Sequence, residues 1–140
     1  MQRLVPVLFT LWLVSCTEPA GPPILVSDVV VTAAARDMPM AAAYFDIRNR
    51  SGDGIRITRV TSPNYEAVEI HETTIEDGIA RMRRLDAVEV PNDETIRFAR
   101  GGLHLMLMRP VDDAENITLN FYQQDLLIVS VSTVFARPAE

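Results

Sequence analysis

Lysine is missing from this 140-residue chain, cysteine occurs once and histidine twice. A single cysteine cannot form an intramolecular disulfide, so stability must come from a buried core. The 13 basic residues are all arginine and stand against 19 acidic ones, for a net charge of −6. With no basic run, the fold itself is not expected to bind nucleic acid or anionic lipid headgroups. Convincing helix-period stretches and internal repeats are absent too. What is present is a 48% hydrophobic composition, enough at this length for one domain with a real core.

The N-terminus reads as a leader rather than as part of the fold. Met1-Gln2-Arg3 precedes the apolar run LVPVLFTLWLV (4–14), which ends in Ser15-Cys16. That run is too short for a membrane-spanning helix, which needs about 20 residues, and has the proportions of a signal-peptide core. The ending LVSC resembles a bacterial lipobox, in which the signal is cut before the cysteine and the cysteine is lipidated. The expected organisation is a signal peptide over 1–15, lipidated Cys16 with a Pro/Gly tether to 23, and a domain over 24–136. Thr17, not aspartate, follows the cysteine. The expected location is extracytoplasmic, membrane-anchored through lipid, and on the outer membrane in a Gram-negative cell.

Beyond the tether almost every segment is β-like. ILVSDVVVT (24–32), AAAYFDIRN (41–49), GIRITRVTS (54–62), YEAVEIHET (65–73), IARMRRL (79–85), ETIRFA (94–99), LHLMLMR (103–109), NITLNFY (116–122) and LLIVSVSTVF (126–135) are short and rich in β-branched and aromatic residues. Turn residues separate them, which predicts an all-β, antiparallel sandwich.

Both histidines lie on strands that alternate. In GGLHLMLM (101–108) the leucines share one face and His104, Met106 and Met108 the other. In AVEIHETT the face of His71 also carries Ala67, Glu69 and Thr73. Asp77-Gly78 has the chemistry of a two-residue type I′ hairpin loop, which pairs Thr73 with Met82 and sets His71 diagonal to Met82, about 7–8 Å away between Cα atoms. One turn thus brings an imidazole and a thioether within reach of a shared ion. Two imidazoles and two thioethers make a neutral, soft-to-borderline ligand set suited to Cu(I) rather than zinc, magnesium or calcium. A blue-copper centre would need a free thiolate, which the mature domain lacks. The residues alone leave a second reading open, in which the methionines are flexible packing elements and the histidines are simply hydrogen-bonded.

The spacing His71, ten residues, Met82, twenty-one residues, His104-Leu105-Met106 resembles the signature of the periplasmic copper chaperones of the PCuAC family. AAAYFDIRN resembles that family's Ala-x-Tyr-x-x-x-x-Asn strand, VEIHETTIEDGIARM its first metal hairpin and GGLHLMLM its second metal segment. The resemblance implies a cupredoxin-like β-sandwich that binds one Cu(I) through His71, Met82, His104 and Met106 and is not an enzyme. It also implies delivery of copper toward respiratory oxidase copper centres, alongside Sco-type proteins. The sequence departs from the pattern at Ala33-Ala34-Ala35-Arg36, where the family has an aromatic before the arginine, and at Arg100, where it has proline. The alternatives are a copper sequestration or resistance protein, and a metal-free envelope lipoprotein. DMPM (37–40) is expected to be a loop, and Met108 a neighbour of the site rather than a ligand.

Overall fold

The computed structural model describes residues 22–33 and 39–136. The expected leader, Cys16, most of the tether, Ala34-Ala35-Arg36 of the departure and Met38 therefore lie outside the described residues. The described chain forms strands and turns with no helix. Its eleven strands are β1 (Ile24–Ala33), β2 (Met40–Asn49), β3 (Ile55–Ile57), β4 (Arg59–Thr61), β5 (Tyr65–Glu76), β6 (Ile79–Leu85), β7 (Val88–Val90), β8 (Thr95–Phe98), β9 (Leu103–Pro110), β10 (Asn116–Gln123) and β11 (Leu126–Ala136).

Hydrogen bonding runs in the order β4-β10-β11-β1-β2-β9-β5-β6, and β3 and β7 form a separate small sheet. Among the described residues β1 with β11 is the parallel pairing, and the other pairings are antiparallel. The long path branches at β2. Its first half, Met40–Ala43, pairs with β9, and its second half, Phe45–Arg48, pairs with β8. Phe45 then stacks on Phe98 with ring centroids 4.3 Å apart and meets Phe121 of β10 edge-on at 5.3 Å. Rings at such separations attract through their quadrupoles as well as by area burial, and here they join β2, β8 and β10 inside the core.

Alternation decides which side of each strand enters this core. In β10, Ile117, Leu119 and Phe121 are buried while Asn116, Thr118 and Asn120 face outward. In β9, Leu105 and Leu107 are fully buried, so His104, Met106 and Met108 belong to the face that points away from the core. At the end of β2 the inward position is polar. Asn49 is fully buried, and its Nδ2 donates to the carbonyls of Asp53 and Val90 at 2.7 and 2.9 Å. Its Oδ1 accepts from the backbone N–H and the hydroxyl of Ser51. Each polar atom of that side chain is paired, which is the condition for burying an amide without cost.

Two expectations about strands change here. The segment 54–62 is two strands because Thr58 turns toward β10, donating its backbone N–H to the Tyr122 carbonyl at 2.9 Å. Met40, expected in a loop, is the first residue of β2. At the far end of the sheet β6 is an edge strand, exposed at every residue except Leu85. Its arginines are held across the ladder: Arg81 by Glu76, Arg83 by Glu72 and Arg84 by Glu69.

Candidate metal centre

The β5–β6 hairpin is built by its turn. Asp77 and Gly78 both have positive φ, 52° and 76°, as a type I′ loop requires. The register that follows pairs Thr73 with Met82 and His71 with Arg84. On its other side β5 pairs with β9, and there His71 faces His104 and Glu69 faces Met106. Directly opposed residues of a ladder project to the same side, so His71, His104 and Met106 share one face, joined by Met82 from the hairpin. The imidazoles meet edge to face with ring centroids 5.9 Å apart.

Hydrogen bonds fix the two rings in opposite senses. Nε2 of His71 lies 2.9 Å from Oε2 of Glu69, whose other oxygen accepts from Arg84 at 3.0 Å. The carboxylate can only accept, so the network assigns the proton of a neutral His71 to Nε2. Its Nδ1 then presents a lone pair to the sulfur of Met82, 3.1 Å away. Two donors facing each other with no proton between them repel, and a shared cation relieves that contact. For a tetrahedral d¹⁰ ion with bond lengths like those of zinc, nitrogen and sulfur would stand about 3.5 Å apart, so little movement separates this arrangement from ligation. His104 shows the reverse tautomer. Its Nδ1 lies 3.0 Å from the Gly102 carbonyl and donates to it, leaving Nε2 free. That carbonyl also accepts from Thr73 of β5 at 3.0 Å, and Gly101 supplies the positive φ of 78° that the preceding turn needs. The Gly-Gly segment therefore anchors the second histidine and the hairpin at one atom.

Burial is graded across the cluster. His104 is 5% exposed, Met106 is half-buried, and Met82 is 56% exposed. An open depression of about 300 Å³ is bordered by Met82, His104, Met106, Met40, Tyr44 and Arg100. Arg100, the departure from proline, lies with its guanidinium carbon 5.1 Å from the Tyr44 ring centroid, and that ring is 6.4 Å from His104. Among the described residues no group of three His, Cys, Asp or Glu side chains is arranged to hold a metal, so oxygen- or thiolate-type centres have no counterpart here.

The roles of Glu69 and Arg84 were not drawn from the sequence, although the signal was there. Glu69 shares the parity of His71, and the turn register that pairs Thr73 with Met82 necessarily pairs His71 with Arg84. Tyr44 and Arg100 are reached through nonlocal packing and had no such local signal.

Residues 24–133 match the model of the LpqE-like family, described as "Putative lipoprotein LpqE-like". The chain is 27% identical over 90 residues to "Putative lipoprotein Lxx21020" of Leifsonia xyli subsp. xyli (strain CTCB07), a match covering 61% of this chain and 54% of that protein. The chain thus spans about half the length of that curated relative. Among solved structures, the copper-bound PCuAC domain from PmoF2 superposes with a TM-score of 0.63 at 20% identity, covering 87% of this chain and 99% of that one. The Cu(I) form of DR1885 from Deinococcus radiodurans gives 0.61 at 21% identity, with coverages of 86% and 80%. At these identities the two superpositions show the β-sandwich fold.

Proposed function

This chain belongs to the LpqE-like family, and on that premise we propose that it is a lipid-anchored, extracytoplasmic copper-binding protein of the PCuAC type. Its cargo is one Cu(I), held by His71, Met82, His104 and Met106. The observation that carries this reading is the 3.1 Å approach of the Nδ1 of His71 to the Met82 sulfur, on the face shared with His104 and Met106. Thioethers select Cu(I), and imidazole accepts it, whereas zinc would call for thiolate or carboxylate. The similarity in fold to a copper-bound PCuAC domain supports the same assignment.

The site is one for holding and passing an ion rather than for chemistry on it. Four neutral donors saturate a tetrahedral Cu(I), and a saturated ion has no position for a substrate. Exposure of Met82 gives an incoming ligand of an acceptor protein a sulfur to displace first, while the buried His104 keeps the ion in place during exchange. This accessibility favours a copper chaperone over a storage protein, and the resemblance extends the proposal to delivery toward respiratory oxidase copper centres with Sco-type partners. Cys16 is the proposed lipidation site.

Anaerobic titration against a Cu(I) chelator tests the core of the proposal. One tight equivalent of Cu(I), not displaced by zinc, is expected; zinc outcompeting Cu(I) refutes it. Deletion of the gene separates delivery, which lowers oxidase activity at low copper, from sequestration, which raises copper sensitivity.

A further inference from the structure

Two methionines on the metal face are left without a role by the four-donor site. Met40, at the start of β2, is the Cα partner of Met108 in β9, and one step along the same ladder Ala42 faces Met106. On the opposite flank Met108 faces Ala67 and Met106 faces Glu69. Met40, Met106 and Met108 therefore form a continuous thioether patch, and small alanines stand beside it on both neighbouring strands. The three are half-buried, and they sit on the side of β9 opposite the fully buried Leu105 and Leu107. Filling the hydrophobic core does not account for them. Met40 also borders the depression that holds Met82, His104 and Met106.

The geometry points to a second, weaker Cu(I) subsite formed by Met40 and Met108, with Met106 turning between it and the four-donor site. Directly opposed residues have Cβ atoms about 4.5–5.5 Å apart, and methionine has three rotatable bonds, so both sulfurs can reach one ion. Met106 and Met108 are about 6.6–6.8 Å apart along the strand, which is too far for both to serve the four-donor site easily and close enough for an ion to be passed. The subsite offers thioethers without imidazole, so it selects Cu(I) and rejects zinc and Cu(II). Passage is ligand exchange alone. An ion held by Met40 and Met108 gains the Met106 sulfur, then exchanges its first two sulfurs for His104 and the hairpin ligands, with no change in oxidation state and no proton transferred. The patch is in effect a loading port for the site proposed above, and its soft-ion chemistry rests on that reading.

The test is a titration of the full chain in detergent with Cu(I) under anaerobic conditions, observed through the methionine methyl signals. The first equivalent should shift Met82 and Met106. The second, binding about 100-fold or more weakly, should shift Met40 and Met108. Met40→Leu and Met108→Leu, made separately, should each abolish the second event and leave the affinity of the first within about twofold; leucine conserves volume, so folding should survive. The subsite is refuted if the Met40 and Met108 methyls stay unmoved in excess Cu(I), if they move with the first equivalent, or if either variant retains the second event. The wild-type methyl shifts alone decide the matter if a variant fails to fold. Silence of Met82 and Met106 would instead overturn the four-donor site, an outcome read from different signals.

Discussion

Substituting Met82 by leucine removes a sulfur that lies 3.1 Å from the His71 imidazole on a side chain that is 56% exposed. The two consequences of that change should come apart. Met82 belongs to an edge strand whose residues other than Leu85 are exposed, so its side chain adds little to the core. A substitution there should alter unfolding free energy by no more than about 0.5 kcal/mol. Cu(I) affinity should respond quite differently. Loss of one donor from four leaves an ion with three protein ligands, and a tenfold weakening corresponds to about 1.4 kcal/mol. We expect a loss of about tenfold or more, measured by competition with a Cu(I) chelator at fixed pH, beside an unchanged denaturant midpoint. Met106→Leu provides the internal comparison, since it removes the sulfur of a half-buried residue and should add a stability cost under about 1.5 kcal/mol to the same loss of affinity. Cu(I) affinity that stays at the wild-type value in both variants would refute the assignment of the site. A large drop in stability for Met82→Leu would refute the separation of the hairpin from the core.

Glu69→Ala should release the His71 ring from its Nε2 contact and weaken Cu(I) binding about 10–100-fold, with the loss of the Nε2–H tautomer visible by nitrogen NMR of the copper-free protein. Asn49→Ala removes the donor to the Asp53 and Val90 carbonyls and the acceptor of the Ser51 amide, the Asp53 carbonyl keeping only the Ser51 hydroxyl, and should cost about 2–4 kcal/mol in denaturant unfolding, with no primary effect on copper. The Arg97 guanidinium, bound to both oxygens of Asp46, holds that carboxyl below the usual carboxylate range. In the acid window between the ordinary value and the lowered one, the unfolded chain binds the proton and the folded chain does not, so wild-type stability falls as pH drops through that window. Arg97→Gln should flatten this dependence, measured as denaturant midpoints across the acid range. Cys16→Ser should abolish incorporation of labelled palmitate into the full-length protein in a Gram-negative host, and unchanged labelling would remove the lipobox assignment.

Legibility from sequence followed the distance over which each contact is specified. The pairing of Thr73 with Met82 was readable because Asp77-Gly78 fixes a hairpin from two residues, and the structure shows that register. The division of β9 into a leucine face and a His/Met face was readable because alternation is local. β7 is not legible in this way: Val88-Glu89-Val90 alternates, with both valines buried, but three residues ending at Pro91 are too short for the pattern to stand out. Met40 was placed in a loop because Pro39 precedes it, and only pairing with β9, more than sixty positions away in sequence, makes it a strand residue opposite Met108. The break at Thr58 likewise depends on β10, which no pattern within 54–62 announces.

The exposed edge at β6 has a meaning that depends on how such a molecule is distributed. If the proposed lipid anchor holds, copies share a surface rather than a volume, so they meet far more often than free copies at the same total number, and with part of their orientation already fixed. Those conditions favour a bare strand edge recruiting its twin into a continuous sheet. A second β6 laid against the first would bring the rows of Arg81, Arg83 and Arg84 toward their own counterparts, where like charges on adjoining strands repel. The glutamates on β5 hold those side chains along their own ladder, so a second copy would meet arginines already engaged in ion pairs on both faces of the edge. The hairpin that carries Met82 can thus remain uncovered, open to a different protein and closed to its own kind.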